Sequence, residues 1–284
     1  TPENRREAIE WLLPSVEKGD TDSMVLLSDL YMEQNPPEAV KYLNKAARAD
    51  NPGALYRLGM IYSDGKLAVR SYDAAFRCFS KASEKGNTAS RPMLALLYYE
   101  GKGTIRNAEK AFKLYQEIYD GGGVYAGIPL GAMCYSGDGT AKDYKKALEY
   151  LKKGMLSSIA VPGFHPFALI GKIYYSGGHG VPQDYAAAAE ALKKAGNEPE
   201  ALYLLGKLYL DGKGLGQDDS LAFSVFRQAA ELGSMEAKAE LGKMYCLGRG
   251  TAKDYVLAVQ YLKPAAERGD LEAGRLLAEI YTDG

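Results

Sequence analysis

Residues that do chemistry are scarce in this 284-residue sequence, which holds two histidines, three cysteines and one tryptophan. No HExxH helix, CxxC pair or G-x-S-x-G elbow occurs. His165 and His179 both fall in irregular loop segments, and a lone loop histidine such as His179 in "SGGHGVPQ" reads as solvated rather than metal-bound. Cys78, Cys134 and Cys246 are odd in number and out of phase with the period described below, so they read as free, buried thiols rather than a disulfide framework. Net charge is −1, which removes the electrostatic basis for a nucleic-acid partner. No apolar run approaches the roughly 18 residues of a membrane span, and no secretory signal opens the sequence. The expectation is a chain without catalytic residues, metal or cofactor.

What is plentiful is glycine, with 32 copies, and tyrosine, with 22. They recur together. "LGKMYCLGRGTAKDY" at 241–255 has counterparts in "LGKLYLDGKGLGQDD" at 205–219, "IGKIYYSGGHGVPQDY" at 170–185, "LGAMCYSGDGTAKDY" at 130–144, "LALLYYEGKGTIRNAE" at 94–109 and "LGMIYSDGKLAVRSY" at 58–72. A weaker copy begins at Leu27 and a last one breaks off at Gly284. The aromatic marker falls at Tyr31, Tyr62, Tyr98, Cys134, Tyr174, Tyr209, Tyr245 and Tyr281, with spacings of 31, 36, 36, 40, 35, 36 and 36. A small-residue marker keeps step at Ala39, Ala75, Ala111, Ala147, Ala188, Ala222 and Ala258. A loop needed for catalysis is normally needed once; one repeated at a fixed period is the joint of a repeat architecture. The absence of GxxxxGK[ST] and of a preceding strand argues against a phosphate-binding loop.

Each unit resolves into two helices. Ala54, Leu58, Ile61, Tyr62 and Gly65 fall at helical spacing, and Gly59 beside them leaves room for a second helix to approach closely. A glycine turn follows, then a helix such as "DYKKALEYLKKG" at 143–154. Ser71, Asn107, Asp143, Asp184, Asp218 and Asp254 stand where an N-cap is needed. "EKGN", "ELGS" and "ERGD" supply a glycine for a left-handed C-cap.

The pattern A-x-x-x-LG-x-x-Y-x-x-G-x-G-x-x-x-DY-x-x-A-x-x-Y resembles the Sel-one-like repeat (SLR) family, relatives of tetratricopeptide repeats, over nearly the whole chain. The resemblance implies an all-α, right-handed α/α superhelical solenoid of about seven to eight tandem repeats of about 36 residues, with the first helix of each unit lining the concave side. It implies a non-catalytic scaffold or adaptor, and favours a bacterial periplasm or envelope setting over the cytoplasm. Residues 1–284 then read as one solenoid, divided near 1–20 (a second helix only), 21–51, 52–87, 88–123, 124–164, 165–197, 198–234, 235–270 and 271–284 (a first helix only). In residues 3–19 Ala8 takes the Ala position and Trp11 the aromatic one, so the native protein is expected to extend beyond both ends. The first copy lacks the G-x-G loop, and Ser157–Phe164 lengthens the unit after Cys134 with Ile159, Val161, Pro162 and Phe164. That insertion is expected to alter local curvature and to border the partner site.

Candidate binding residues come from helix geometry. At 100° per residue, positions 56, 60 and 63 lie about 140–200° from Leu58, opposite the core stripe. Carried along the repeats, these positions give a tyrosine column, Tyr99, Tyr135 and Tyr175, flanked by Tyr56, Met60 and Tyr203, and a lysine column, Lys172, Lys207 and Lys243. The expectation is a concave groove with an aromatic centre and a basic C-terminal half that takes a protein or peptide partner. Packing between repeats is the competing account of the tyrosines, and a solvated face that of the lysines. Tyr62 and Tyr209 are expected to face the core. Three functions fit: an interaction scaffold, for instance in an envelope or secretion complex; an inhibitor or immunity-type protein that occludes a toxin or enzyme; and peptide or glycan binding.

Overall fold

The computed structural model describes residues 2–159 and 161–283. Ala160, inside the expected insertion, and the terminal Thr1 and Gly284 lie outside the described residues. Sixteen α-helices follow one another: α1 (Pro2–Glu17), α2 (Thr21–Tyr31), α3 (Pro36–Arg48), α4 (Pro52–Asp64), α5 (Tyr72–Glu84), α6 (Ser90–Glu100), α7 (Ala108–Asp120), α8 (Gly127–Ser136), α9 (Tyr144–Gly154), α10 (Pro166–Ser176), α11 (Tyr185–Lys194), α12 (Pro199–Asp211), α13 (Asp219–Glu231), α14 (Met235–Leu247), α15 (Tyr255–Glu267) and α16 (Leu271–Asp283). A 3₁₀ turn spans Val124–Ala126. Among the described residues there is no β-strand, only an isolated bridge between Gly178 and Val181.

The chain forms two compact units, Thr1–Ala126 with Asp138–Thr140, and Gly127–Gly137 with Ala141–Gly284. In the first, α2 pairs with α3, α4 with α5 and α6 with α7, and each pair packs on the next in sequence; α1 packs on α2. In the second, α8 pairs with α9, α10 with α11, α12 with α13 and α14 with α15, again stacked in order, with α16 closing the series against α14 and α15. This consecutive pairing is an all-α solenoid arrangement.

The caps form as the sequence predicts. Asn107, Asp143, Asp184, Asp218 and Asp254 each accept a hydrogen bond of 2.8–2.9 Å from the backbone N–H three residues on, and Ser71 one of 3.2 Å. Such a cap contributes about 0.5–2 kcal/mol. Gly86, Gly233 and Gly269 end their second helices with φ of 90–99°. All seven marker alanines are fully buried. The glycine of the LG pair does what its place suggests: a Cβ on Gly59 would lie 2.6 Å from the Phe79 ring, and one on Gly206 2.6 Å from the Phe226 ring. The missing side chain lets each large side chain seat against the backbone of the opposing helix.

The two glycines of G-x-G have different tasks, which the sequence reading merged. The first, as in Gly101, Gly212 and Gly248, is a left-handed C-cap of the first helix. The second rests on the preceding repeat. A Cβ on Gly103 would lie 2.0 Å from the Tyr72 carbonyl oxygen, and one on Gly250 2.1 Å from that of Asp219. The loop thereby lies flat on the first turn of the preceding second helix. Arg249 strengthens the same seam with a two-pronged contact to Asp219, at 3.0 and 2.8 Å.

The insertion after α9 is irregular. Ile159 is 54% exposed, and Leu156 just before it is 83% exposed. Cys134 and Cys246 are buried, Cys78 is half-buried, and all three are free thiols.

Candidate functional site

The tyrosine column is half-buried, and its rings rest on their own repeats. Within the second unit, Tyr135 stacks on Tyr144, the first residue of α9, with centroids 5.3 Å apart and planes 20° from parallel. Tyr175 meets Tyr185, the first residue of α11, edge-on at 5.6 Å. Within the first unit, Tyr99 lies under the Arg106 guanidinium at 5.6 Å, and Arg106 is held by Asp138 at 2.6 Å. Burial pushes the phenols of Tyr99, Tyr135 and Tyr175 above their ordinary value. These rings are thus partly packing residues that keep one edge at the surface. The helical projection had placed them opposite the core stripe and missed their contact with the start of the second helix.

Tyr56 and Tyr203 repeat one geometry in the two units. Each ring centroid lies 6.0 Å from that of a buried phenylalanine, Phe79 and Phe226 respectively. Burial also raises the Tyr203 phenol, with the Glu240, Tyr175 and Glu236 charges adding to it. Met60 is 40% exposed. Ile128 and Ala132, at the places of Tyr56 and Met60 in their repeat, are buried.

In the lysine column, two of the three members are paired with glutamates. Lys172, with only 15% of its side chain exposed, pairs with Glu200 of the next repeat. Lys243, at 17%, pairs with Glu272 of the next repeat at 2.5 Å and with Glu240 on its own helix at 3.4 Å. Burial pulls the Lys243 ammonium down, but the Glu272 hydrogen bond and the Glu240, Glu272 and Asp270 charges outweigh it and hold it above its ordinary value. Lys207 is half-buried and has no ion pair among the described residues. Glutamates therefore neutralise two of the three lysines in this column. The sequence did carry their signal: Glu200, Glu236 and Glu272 each stand nine residues before the aromatic marker of their repeat. A cleft of about 380 Å³ opens beside Tyr203, between the start of α12 and the turn from α13 to α14.

Tyr62 and Tyr209 were expected in the core and are instead half-buried. Tyr62 packs against two hydrophobic clusters of the first unit, and the Lys193 ammonium sits 5.7 Å over the Tyr209 ring. His179 adopts a left-handed backbone (φ 46°), is exposed, and touches the Tyr144 ring at 4.8 Å. Among the described residues, no three His, Cys, Asp or Glu side chains converge as a metal site requires. No helix among them is long and apolar enough to cross a membrane.

Helix pairs joined by a glycine loop that docks on the previous pair, carrying a tyrosine-rich first-helix face, define a repeat protein of the α-solenoid class. The chain belongs to the Sel1 repeat family: the family's repeat matches residues 1–20, 24–51, 52–87, 93–123, 130–154, 168–198, 199–234 and 236–270. Proteins of this family are generally protein-interaction scaffolds. A protective antigen of uropathogenic Escherichia coli strains that displays an SLR fold is similar at 25% identity and a TM-score of 0.75, over 97% of this chain and 60% of that one. A Sel1 repeat protein from Oxalobacter formigenes is similar at 28% identity and a TM-score of 0.66, over 97% of this chain and 80% of that one. This chain therefore spans 60% of the length of the antigen it resembles. The comparison with curated proteins gave no match.

Proposed function

We propose that this chain is a non-catalytic scaffold that binds a protein or peptide partner on its first-helix face, within each unit. One observation carries the reading. Along that face the side chains opposite the core stripe are half-buried aromatic rings, Tyr56 and Tyr99 in one unit and Tyr135, Tyr175 and Tyr203 in the other. Rings already fixed by Tyr144, Tyr185, Phe79 and Phe226 have little rotamer freedom left to lose when a partner covers them. A tyrosine ring also combines a large apolar contact area with a hydroxyl able to hydrogen-bond a partner. The ion-paired lysines and glutamates beside them set register and suppress wrong partners more than they add affinity.

Capture from a lysate with four baits tests this: the native chain, Tyr175→Ala, Tyr203→Ala, and Lys153→Ala on an exposed second-helix position. A protein retained by the native and Lys153→Ala baits, and lost from either tyrosine variant, supports the reading. A truncated hot-spot tyrosine costs about 2 kcal/mol or more of binding. Equal capture by all four baits refutes it. If the captured protein is an enzyme and the native chain blocks its activity, the scaffold is an inhibitor.

A further inference from the structure

The cleft beside Tyr203 differs from its counterpart elsewhere in the chain. Its walls are Pro199, Tyr203, Leu204 and Leu232; its carboxylates are Glu198, Glu200 and Glu236. In the first unit, the matching junction is held by an internal ion cluster. Asp50 there takes the ammonium groups of Lys81 and Lys85, the latter at 3.0 Å. Lys81 and Lys85 stand 17 and 13 residues before Tyr98, the places held by Gln228 and Leu232 before Tyr245. Asp50 stands 12 before Tyr62, and Asn197 takes that place before Tyr209. The cluster has become a neutral pair, Gln228 Nε2 donating to Asn197 Oδ1 at 2.8 Å, with a leucine in place of the second lysine.

While losing those cations, the junction has gained acids. Glu198, Glu200 and Glu236 occupy the places of Asn51, Gly53 and Ala89. Each carboxylate spends its Oε2 on the protein: Glu198 on the Ala201 N–H at 2.6 Å, Glu236 on the Ser234 hydroxyl at 3.2 Å, and Glu200 on Lys172. Lys207 is placed to take Glu236, as Lys172 takes Glu200 and Lys243 takes Glu272, but that pair does not form.

We propose that this cleft receives a lysine or arginine side chain from the protein partner. Resting on the scaffold reading above, this names the chemistry of the partner at one point. A long aliphatic stem lies along Leu204, Leu232 and the Tyr203 ring, and the cationic head meets the carboxylates. The tyrosine face adds attraction for the cation. The incoming group restores from outside the charge that the sibling junction holds within the chain.

Three blocked tripeptides test it on this 284-residue chain, followed by amide NMR: glycine–lysine–glycine, glycine–arginine–glycine and glycine–norleucine–glycine. The expected result is saturable shifts at Tyr203, Ser234 and Glu236 with the cationic peptides, which bind at least about fivefold more tightly than the norleucine control. The lysine and arginine arms show which head group fits better. Glu236→Gln weakens the cationic peptides about threefold or more. Leu232→Lys supplies the sibling's own cation at a position already 43% exposed, so the fold tolerates it, and it weakens them further. Equal binding of norleucine, unsaturable shifts scattered over the surface, or undiminished binding to the Leu232→Lys chain would each overturn the proposal. The peptides do not depend on lysate capture. Saturable cleft binding without capture sinks the scaffold reading alone; capture without it sinks the cleft alone.

Discussion

Three glycines in one loop, "DGKGLGQD", separate the two tasks of the repeat signature. Gly212 caps α12 at φ 65°, and a Cβ there would meet the Gln217 Cβ at 3.1 Å. Gly214 has a similar φ of 70°, but its Cβ would lie 2.3 Å from the Tyr185 carbonyl carbon and 2.4 Å from the oxygen. Gly216 has nothing within 4 Å. Alanine at Gly212 therefore costs mainly the left-handed backbone penalty, about 1 kcal/mol. Alanine at Gly214 carries the same penalty and must also lift the loop off the backbone of α11, an overpacking cost of about 1–3 kcal/mol. The sum is about 2–4 kcal/mol, or roughly 5–10 °C in melting temperature for a chain of this size. Alanine at Gly216 stays within about 0.5 kcal/mol of the native chain. Urea unfolding and thermal melting of the three variants give the ranking directly, and hydrogen exchange shows whether Gly214→Ala loosens the α11–α12 seam first. If Gly214→Ala is no less stable than Gly212→Ala, the second glycine serves only as a turn and the docked-loop account fails.

Phe226→Ala removes a fully buried ring seated on Gly206, and chemical denaturation is expected to show a loss of about 3–5 kcal/mol. The Arg249–Asp219 contact holds the Asp219 carboxyl below its ordinary value of 3.8; a depressed folded pKa stabilises above the unfolded value and is lost as pH falls through the folded one. Arg249→Ala is therefore expected to cost up to about 1 kcal/mol at pH 7 and to converge with the native chain in acid melts well below that ordinary value; an undiminished gap there would show that the arginine acts by packing. Burial pushes the Cys134 thiol up to about 11, so maleimide labelling at mildly alkaline pH should spare it in the native chain and reach it only on unfolding.

What could be read from the sequence was local. Asp143, Asp184 and Asp254 act on an N–H three residues away, so sequence alone places their hydrogen bonds. The alanine column and Gly59 lie on the face that meets the partner helix of the same repeat, and helical periodicity shows that face. The errors concern contacts between helices, most of them in different repeats. The second glycine of G-x-G looked like part of a turn because its partner, a carbonyl such as that of Tyr185, belongs to the preceding repeat. Lys172 and Lys243 looked solvated because their glutamates stand 28 and 29 residues further on. For Tyr135 and Tyr175 the choice between groove and packing stayed open because a single-helix projection cannot show where the following helix begins. For the glycine and the lysines the period itself held the missing information, since a contact to a neighbouring repeat recurs at a fixed offset.

A repeat chain lets its own copies stand in for one another, and the comparison separates two kinds of position. Places filled alike in copy after copy serve the stacking: the buried alanines, the cap before the second helix, the glycine under which no side chain fits. Changing a packed alanine or glycine costs about 2–4 kcal/mol, and losing a cap about 0.5–2 kcal/mol. Places that differ between copies while the backbone stays the same are not required by stacking. Where Asp50, Lys81 and Lys85 satisfy one another, the junction is closed electrostatically from within. Where Asn197, Gln228 and Leu232 replace them beside Glu198, Glu200 and Glu236, the same backbone leaves negative charge next to an open, partly apolar cleft. That exchange surrenders the two ion pairs of Asp50 and leaves Glu236 without its lysine, while the Lys172–Glu200 pair and the Gln228–Asn197 bond hold the junction in their place. In the proposal above, this second kind of position carries the partner's chemistry, around the start of α12 and α14.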